Sequence, residues 1–336
     1  MEIQYTIYKE DLHLDQVAAL EMNLWHNISQ ADLMQIFKWK FPENSPIRTG
    51  FVALDGDRVI GFKGYFINYY TLGGSSKIAV AILSDSVTHP EYQRRGIFKN
   101  LTEYSLTYYK QNGLDCMLAL TSNEKASSGY IKLGWETLAH RAIRLKLNLH
   151  SIFSHPTRYI KKLSKADIHI VHLSSISLKT ATGLEEFCKT EYCPNQIELL
   201  KDTAYWMRRY AAPHWKYNFI ILYNKQNQII GYVSYMKAIS DYKNIQHTKI
   251  LDISANNCEI LLQCVMRTCN SPIILINTTS PKQGLSVWIK KRFPFQRLHN
   301  QHDASDYALI KWLNQAKGQQ ATDMQWGLGY IDMDSM

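Results

Sequence analysis

The stretch from Val87 to Trp135 leaves a chain few ways to fold. An alternating apolar run, Lys77–Val87, reads as a strand that Pro90-Glu91 breaks. Gln93-Arg94-Arg95-Gly96 then leads directly into Ile97–Asn112, a helix stopped by Gly113 at its C′ position. Leu114–Thr121 has the continuous apolar character of a buried strand, and Asn123–Leu133 reads as a second helix. Strand, helix, strand and helix in such close order belong to an α/β layer with helices packed on a sheet. The start of the first helix also has chemical consequences. Its unpaired N–H groups and partial positive charge make a seat for a pyrophosphate. Gly96 lets the backbone approach an anion closely, and Arg94 and Arg95 add charge.

The run Thr88-His89-Pro90-Glu91-Tyr92-Gln93-Arg94-Arg95-Gly96-Ile97 resembles the acetyl-CoA-binding loop of the GNAT N-acetyltransferases, whose core is Gln/Arg-x-x-Gly-x-Gly/Ala. Asn123, Ala126, Tyr130 and Gly134-Trp135 match, in order and spacing, that family's second signature. Phe98 departs from it, being bulky where the family carries a small residue. The resemblance implies acetyl-CoA as co-substrate, transferred by direct attack of an amine. It assigns cofactor contacts to Gln93, Arg94, Arg95, Gly96, Ile97 and Phe98, and to Asn123. The main chain of Val87, Thr88 and His89 would pair with the pantetheine arm like an added strand. Tyr130 matches the tyrosine that protonates the departing thiolate, a task that suits a phenol of pKa about 10. Its bland alternative is a helix tyrosine packed on the sheet.

The base is less marked. Asp85 stands three residues before Thr88, where many relatives carry a carboxylate. It either orders a water that takes the amine proton, binds an ammonium directly, or is simply hydrogen-bonded where the sheet splays. Ser84, His89 and Glu124 are weaker candidates. For the acceptor, aromatic residues and carboxylates near the C-terminus stand out: Trp326, Tyr330 and Asp332, with Tyr205 and Trp206 further upstream.

The chain repeats itself. A Trp-containing helix leads to a hairpin twice, and each hairpin's second strand carries a hydrophobic-Ile-Gly-aromatic step: Val59-Ile60-Gly61-Phe62 and Ile229-Ile230-Gly231-Tyr232. With 336 residues available, the expectation is a mixed-sheet α/β fold in tandem GNAT-like halves. Residues 1–150 form the acetyl-CoA-binding half, 151–166 a basic linker, and 167–336 a degenerate half that completes the acceptor site. The second half is expected to be degenerate because only Ser-Ala-Asn-Asn separates Ile253 from Cys258, with no arginine or glycine turn before the helix.

Composition narrows the function classes. The net charge of +9 suits steering of a polyanionic cofactor, but basic residues are interspersed with acidic ones, which argues against nucleic acid. No apolar run reaches the roughly 20 residues of a membrane span. The six cysteines form no CxxC pair and read as free thiols in a reducing compartment, so a cytoplasmic location and no metal are expected. His299, His302, Asp303 and Asp306 form the one metal-like grouping, in a polar loop-like stretch. The leading reading is an acetyl-CoA-dependent N-acetyltransferase of a small primary amine, with amino sugars and surface-polysaccharide precursors as candidate acceptors. The alternatives are an aminoacyl- or longer-chain acyltransferase built on paired GNAT folds, or a non-catalytic CoA-binding module. Oligomeric state is left open.

Overall fold

The computed structural model describes residues 2–25, 28–121, 124–141, 143–148, 168–239, 245–269, 271–277, 283–296, 306–322 and 324–328. The expected linker at 151–166, Asn123, Tyr330, Asp332 and most of the His299–Asp306 grouping lie outside these residues. Among the described residues the strands build two mixed sheets, of nine and seven strands.

The first sheet starts with β1 (Gln4–Ile7), β2 (Gly50–Asp55), β3 (Arg58–Leu72) and β4 (Ser76–Thr88), all paired antiparallel. The β2–β3 hairpin turns at Asp55-Gly56-Asp57, with Gly56 in the left-handed region such a turn needs. Helices α1 (Glu10–Glu21) and α2 (Gln30–Lys40) bury Val17, Ala18, Leu33 and Phe37 against Val52 and Phe62. Ser29 caps α2 by accepting from the Asp32 N–H. Beyond β4, α3 (Ile97–Gln111), β5 (Cys116–Thr121) and α4 (Glu124–Lys132) follow as the spacing requires. Strand β5 runs parallel to β4, but their pairing stops at Ile82 and Leu118. From there the two strands part, and the sheet opens into a wedge.

The second sheet repeats this plan with β8 (His169–Leu173), β10 (Tyr217–Tyr223), β11 (Ile229–Ile239), β12 (Gln246–Ile253) and β13 (Ile273–Asn277). Its β12–β13 pair is again the parallel one. Helices α5 (Leu178–Glu191), α6 (Thr203–Arg209), α7 (Cys258–Thr268) and α8 (Gln283–Arg292) complete this half. The repeat extends to the register. Ser84 and Asp85 together oppose Gly64 in a bulge between the Lys63–Ser86 and Tyr65–Leu83 pairs. An equivalent irregularity leaves Leu251 extra between the Ser234–Asp252 and Tyr235–Ile250 pairs. Asp85 therefore corresponds to Asp252.

The halves are not independent sheets. Two strands follow α4, β6 (Glu136–Arg141) and β7 (Ile143–Leu147), and they join different sheets. Strand β7 lies in the second sheet, between β13 and β14 (Phe295–Gln296). In exchange, β15 (Asp306–Trp312) inserts between β5 and β6 of the first sheet. A further link is made by β9 (Gln196–Leu199), which pairs with the far end of β3 and with β16 (Gln325–Gly327). The core between the sheets joins Tyr70, Ile78, Val80 and Cys116 to Trp206, Ile221, Tyr232 and Leu275. All six cysteines are free thiols.

Candidate active site

The wedge between β4 and β5 is where the expected site residues meet. At its outer end, Gly96 begins α3 at φ 79° with no side chain capping the helix. A Cβ at Gly96 would meet only Asn100 Nδ2, at an ordinary 3.9 Å, so glycine is required there by backbone conformation and not by crowding. Arg94 is also left-handed, at φ 63°. Left-handed residues alternating with others turn successive N–H groups into a concave, anion-binding nest. Holding an arginine in that conformation costs about 1 kcal/mol, a strain commonly found where a ligand is bound. An outer cavity of about 520 Å³ is lined here by Val87, Thr88, Gln93, Arg94, Gly96 and Ile97, among others. Arg95 stacks its guanidinium 4.9 Å from the Tyr92 ring, whose hydroxyl donates to Asp55 at 2.6 Å.

An inner cavity of about 620 Å³ occupies the wedge itself, lined by Ser84, Asp85 and Ser86 of β4, Leu120 and Thr121 of β5, and Tyr130 of α4. All of its described lining comes from residues 21–130. Tyr130 is fully buried, and its hydroxyl has no hydrogen-bond partner among the described residues. A buried hydroxyl without a partner costs about 1–3 kcal/mol, so its retention calls for an explanation. Tyr109, in the same core, carries a similar orphan hydroxyl; what distinguishes Tyr130 is its position on the cavity wall. Burial, with a smaller contribution from Tyr65, pushes the Tyr130 phenol well above its ordinary value. The group therefore holds its proton until a stronger base reaches it.

Phe98, the departure from the expected pattern, packs against α4. Its ring turns over Gly129 and meets Tyr130 edge-on, with centroids 5.1 Å apart. A Cβ on Gly129 would come within 2.9 Å of the Phe98 ring, so the large residue on α3 is matched by a small one on α4. Lys63 Nζ lies 3.9 Å from the Phe98 centroid and donates to Thr102 Oγ1 at 2.6 Å. Desolvation drives the Lys63 amine well below the usual lysine range.

Asp85 is buried in an ion pair with Lys40 at 3.0 Å, and Ser84 Oγ donates to the same carboxylate. Its counterpart Asp252 pairs with Lys201 at 2.5 Å and accepts from Tyr232 at 2.7 Å. A Lys–Asp pair thus occurs in both halves, fully buried in the first and partly buried in the one without the arginine loop. Such a repeat ties the pair to the bulged strand as much as to the reaction. His89 is engaged by Arg58, whose Nη2 donates to its Nε2 at 2.8 Å. Glu124 begins α4, and its side chain lies outside the described residues.

Trp326, expected at the acceptor site, packs instead in the core between the sheets. Its ring lies 5.3 Å from Tyr70 and 6.1 Å from Trp312, because β16 is held on the edge of β9. Tyr205 and Trp206 belong to the same core. Glu21, Leu24 and Trp25, at the end of α1 and in the turn after it, line the inner cavity without having been anticipated. Nothing in their local sequence marks them, since they reach the site only through packing of α1 on the sheet. Among the described residues no group of His, Cys, Asp or Glu could hold a metal ion, and no helix is long and apolar enough to cross a membrane.

Residues 10–138 match the family model described as the acetyltransferase (GNAT) domain. A GCN5-related N-acetyltransferase from Anabaena variabilis superposes with TM-score 0.66 at 13% identity, covering 94% of this chain and 74% of that one. One from Kribbella flavida gives TM-score 0.63 at 13% identity, covering 94% and 73%. A tandem GNAT protein from the clavulanic acid biosynthesis pathway gives TM-score 0.59 at 10% identity, covering 93% and 99%. No functionally curated protein matches the sequence significantly. Residues 10–138 thus resemble a GNAT acetyltransferase domain, and the chain as a whole has the fold seen in a tandem GNAT protein.

Proposed function

We propose that the chain is an acetyl-CoA-dependent N-acetyltransferase acting on a small primary amine. One observation carries the reading: a buried tyrosine hydroxyl without a partner stands at the inner end of a groove whose outer end is an uncapped, left-handed helix start. Such a groove suits a ligand with a diphosphate at one end and a sulfur at the other. Acetyl-CoA would supply an activated thioester. The amides of Gln93–Phe98 and the Arg94 and Arg95 side chains would hold its phosphates, and the β4 edge at Val87–His89 its arm. We assign Tyr130 as the proton donor to the leaving sulfur, with its proton kept in place by burial. Asp85, facing Lys40, is assigned to hold the acceptor amine at the cavity floor.

Residues 1–150 would carry the cofactor and the chemistry, and residues 167–336 would frame the site through β9 and β15. Free thiols suit a reducing compartment, so we place the reaction in the cytoplasm. An amino sugar is one acceptor of the right size and polarity. The test is titration calorimetry with acetyl-CoA, followed by thiol release with a panel of primary amines that includes glucosamine. Gly96→Asp puts a carboxylate and an unfavourable backbone where the phosphates would sit, and should weaken acetyl-CoA binding at least about tenfold. If the variant binds as tightly as wild type, the cofactor lies elsewhere.

A further inference from the structure

We propose that Leu24, in the turn after α1, and Phe98, in the first turn of α3, form an apolar neck that grips the pantetheine arm of the bound acyl-CoA. The proposal rests on the acetyl-CoA reading above. The outer and inner cavities share three lining residues: Leu24, Ser86 and Phe98. A CoA thioester carries its diphosphate at one end and its reactive carbon at the other. With the phosphates at Gly96 and the sulfur near Tyr130, everything between them must pass these three side chains.

The arm is a chain of methylenes and methyl groups interrupted by two amides, and the neck matches that composition. Ser86 lies on β4 past Ile82, where β5 has turned away, so strand main chain is available to amides. Leu24 and Phe98 supply the apolar surface. Phe98 is the fixed jaw: Gly129 leaves room for its ring, and Tyr130 and Lys63 hold it. Leu24 is the open jaw, 56% exposed, with its N–H bonded to Glu21 O at 2.8 Å. A single exposed leucine is ordinary. One that lines both cavities of a cofactor groove loses its water when the groove fills, and that burial favours binding.

The test uses the full chain and two ligands, acetyl-CoA and 3′-phospho-ADP, the same nucleotide without the arm. Leu24→Ser should weaken acetyl-CoA binding about tenfold, as burial of part of a leucine side chain predicts. It should leave 3′-phospho-ADP binding nearly unchanged. Leu24 sits in an exposed turn, so a thermal melt of the variant should match wild type. Phe98→Ala should show the same selective loss. Unchanged acetyl-CoA binding in Leu24→Ser, or equal loss of both ligands, would overturn the neck. So would a wild-type protein that binds both ligands equally well. A wild-type protein that binds neither would instead refute the acetyl-CoA reading itself.

Discussion

Burial at Tyr130 does two things at once: it withholds water from the phenol and raises the pH at which the phenol would lose its proton. A raised value for an acid means that the protonated, donating form persists to higher pH. Turnover should therefore stay level on the alkaline side past the ordinary tyrosine value of about 10, as far as the fold allows. Tyr130→Phe removes the proposed donor and almost no packing. It should lower kcat about 10²-fold with little change in acetyl-CoA affinity. An equal kcat across the pH range would remove Tyr130 from the mechanism. Lys63 poses the opposite problem. Its amine is desolvated, so between its lowered folded value and the ordinary lysine value the unfolded chain binds a proton that the folded chain does not. Stability should rise with pH through that window, and Lys63→Met should raise stability at neutral pH by about 1 kcal/mol while flattening the rise. A denaturant melt at several pH values measures both. Gly96 and Tyr130 were legible because each stands in a signature of fixed spacing. The Lys40 partner of Asp85 was not, because 45 residues separate the two and only the fold brings them together.

At the scale of elements, local chemistry identified most of the strands and helices. The Asp-Gly turn fixed the β2–β3 hairpin, and Gly113 ended α3 in the left-handed conformation expected of it. The helix that follows Ser-Ala-Asn-Asn in the sequence is α7, Cys258–Thr268. Pairing was the part that periodicity could not supply. The sequence of β15 reads only as an apolar strand, and nothing in it says that it will sit between β5 and β6. Short β9 and β16 were missed for the same reason, since each exists only through its partner. The wedge that forms the inner cavity likewise depends on where β4 and β5 stop pairing. Leu309 of β15 is fully buried in the core beneath α4, in one cluster with Ala119, Tyr130 and Trp135. Leu309→Ala should destabilise the chain by about 2–5 kcal/mol. It should also lower acetyl-CoA affinity, although Leu309 lies far along the chain from the signatures. A variant of wild-type stability would mean that β15 is peripheral to the first sheet.

For the whole molecule, the exchange of β7 and β15 interlocks two similar halves. The halves nevertheless differ at the helix start that matters. Asn257 opens α7 in left-handed backbone at φ 58°, much as Gly96 opens α3. There, however, the Asn256 N–H donates to Glu191 Oε1 at 3.1 Å, so a carboxylate already meets that helix start. The connection from β12 consists of four residues, Ser254–Asn257, and carries no arginine. A diphosphate would face like charge where the first half offers Arg94 and Arg95. We therefore expect one acetyl-CoA per chain, measured as the stoichiometry of a calorimetric titration. Two bound per chain would overturn the reading of the second half as degenerate. The exchange carries its own consequence for the first half. A fragment of residues 1–150 keeps both signatures but loses β15, leaving β5 and β6 unpaired along the edges that β15 covers. It also exposes Tyr70, Ile78 and Val80, which face Trp206 and Ile221 in the intact chain. Such a fragment should show no cooperative thermal transition and no acetyl-CoA binding. The full chain should melt in a single transition that acetyl-CoA shifts upward. A fragment that folds and binds the cofactor alone would show that the exchanged strands decorate the first half without completing it.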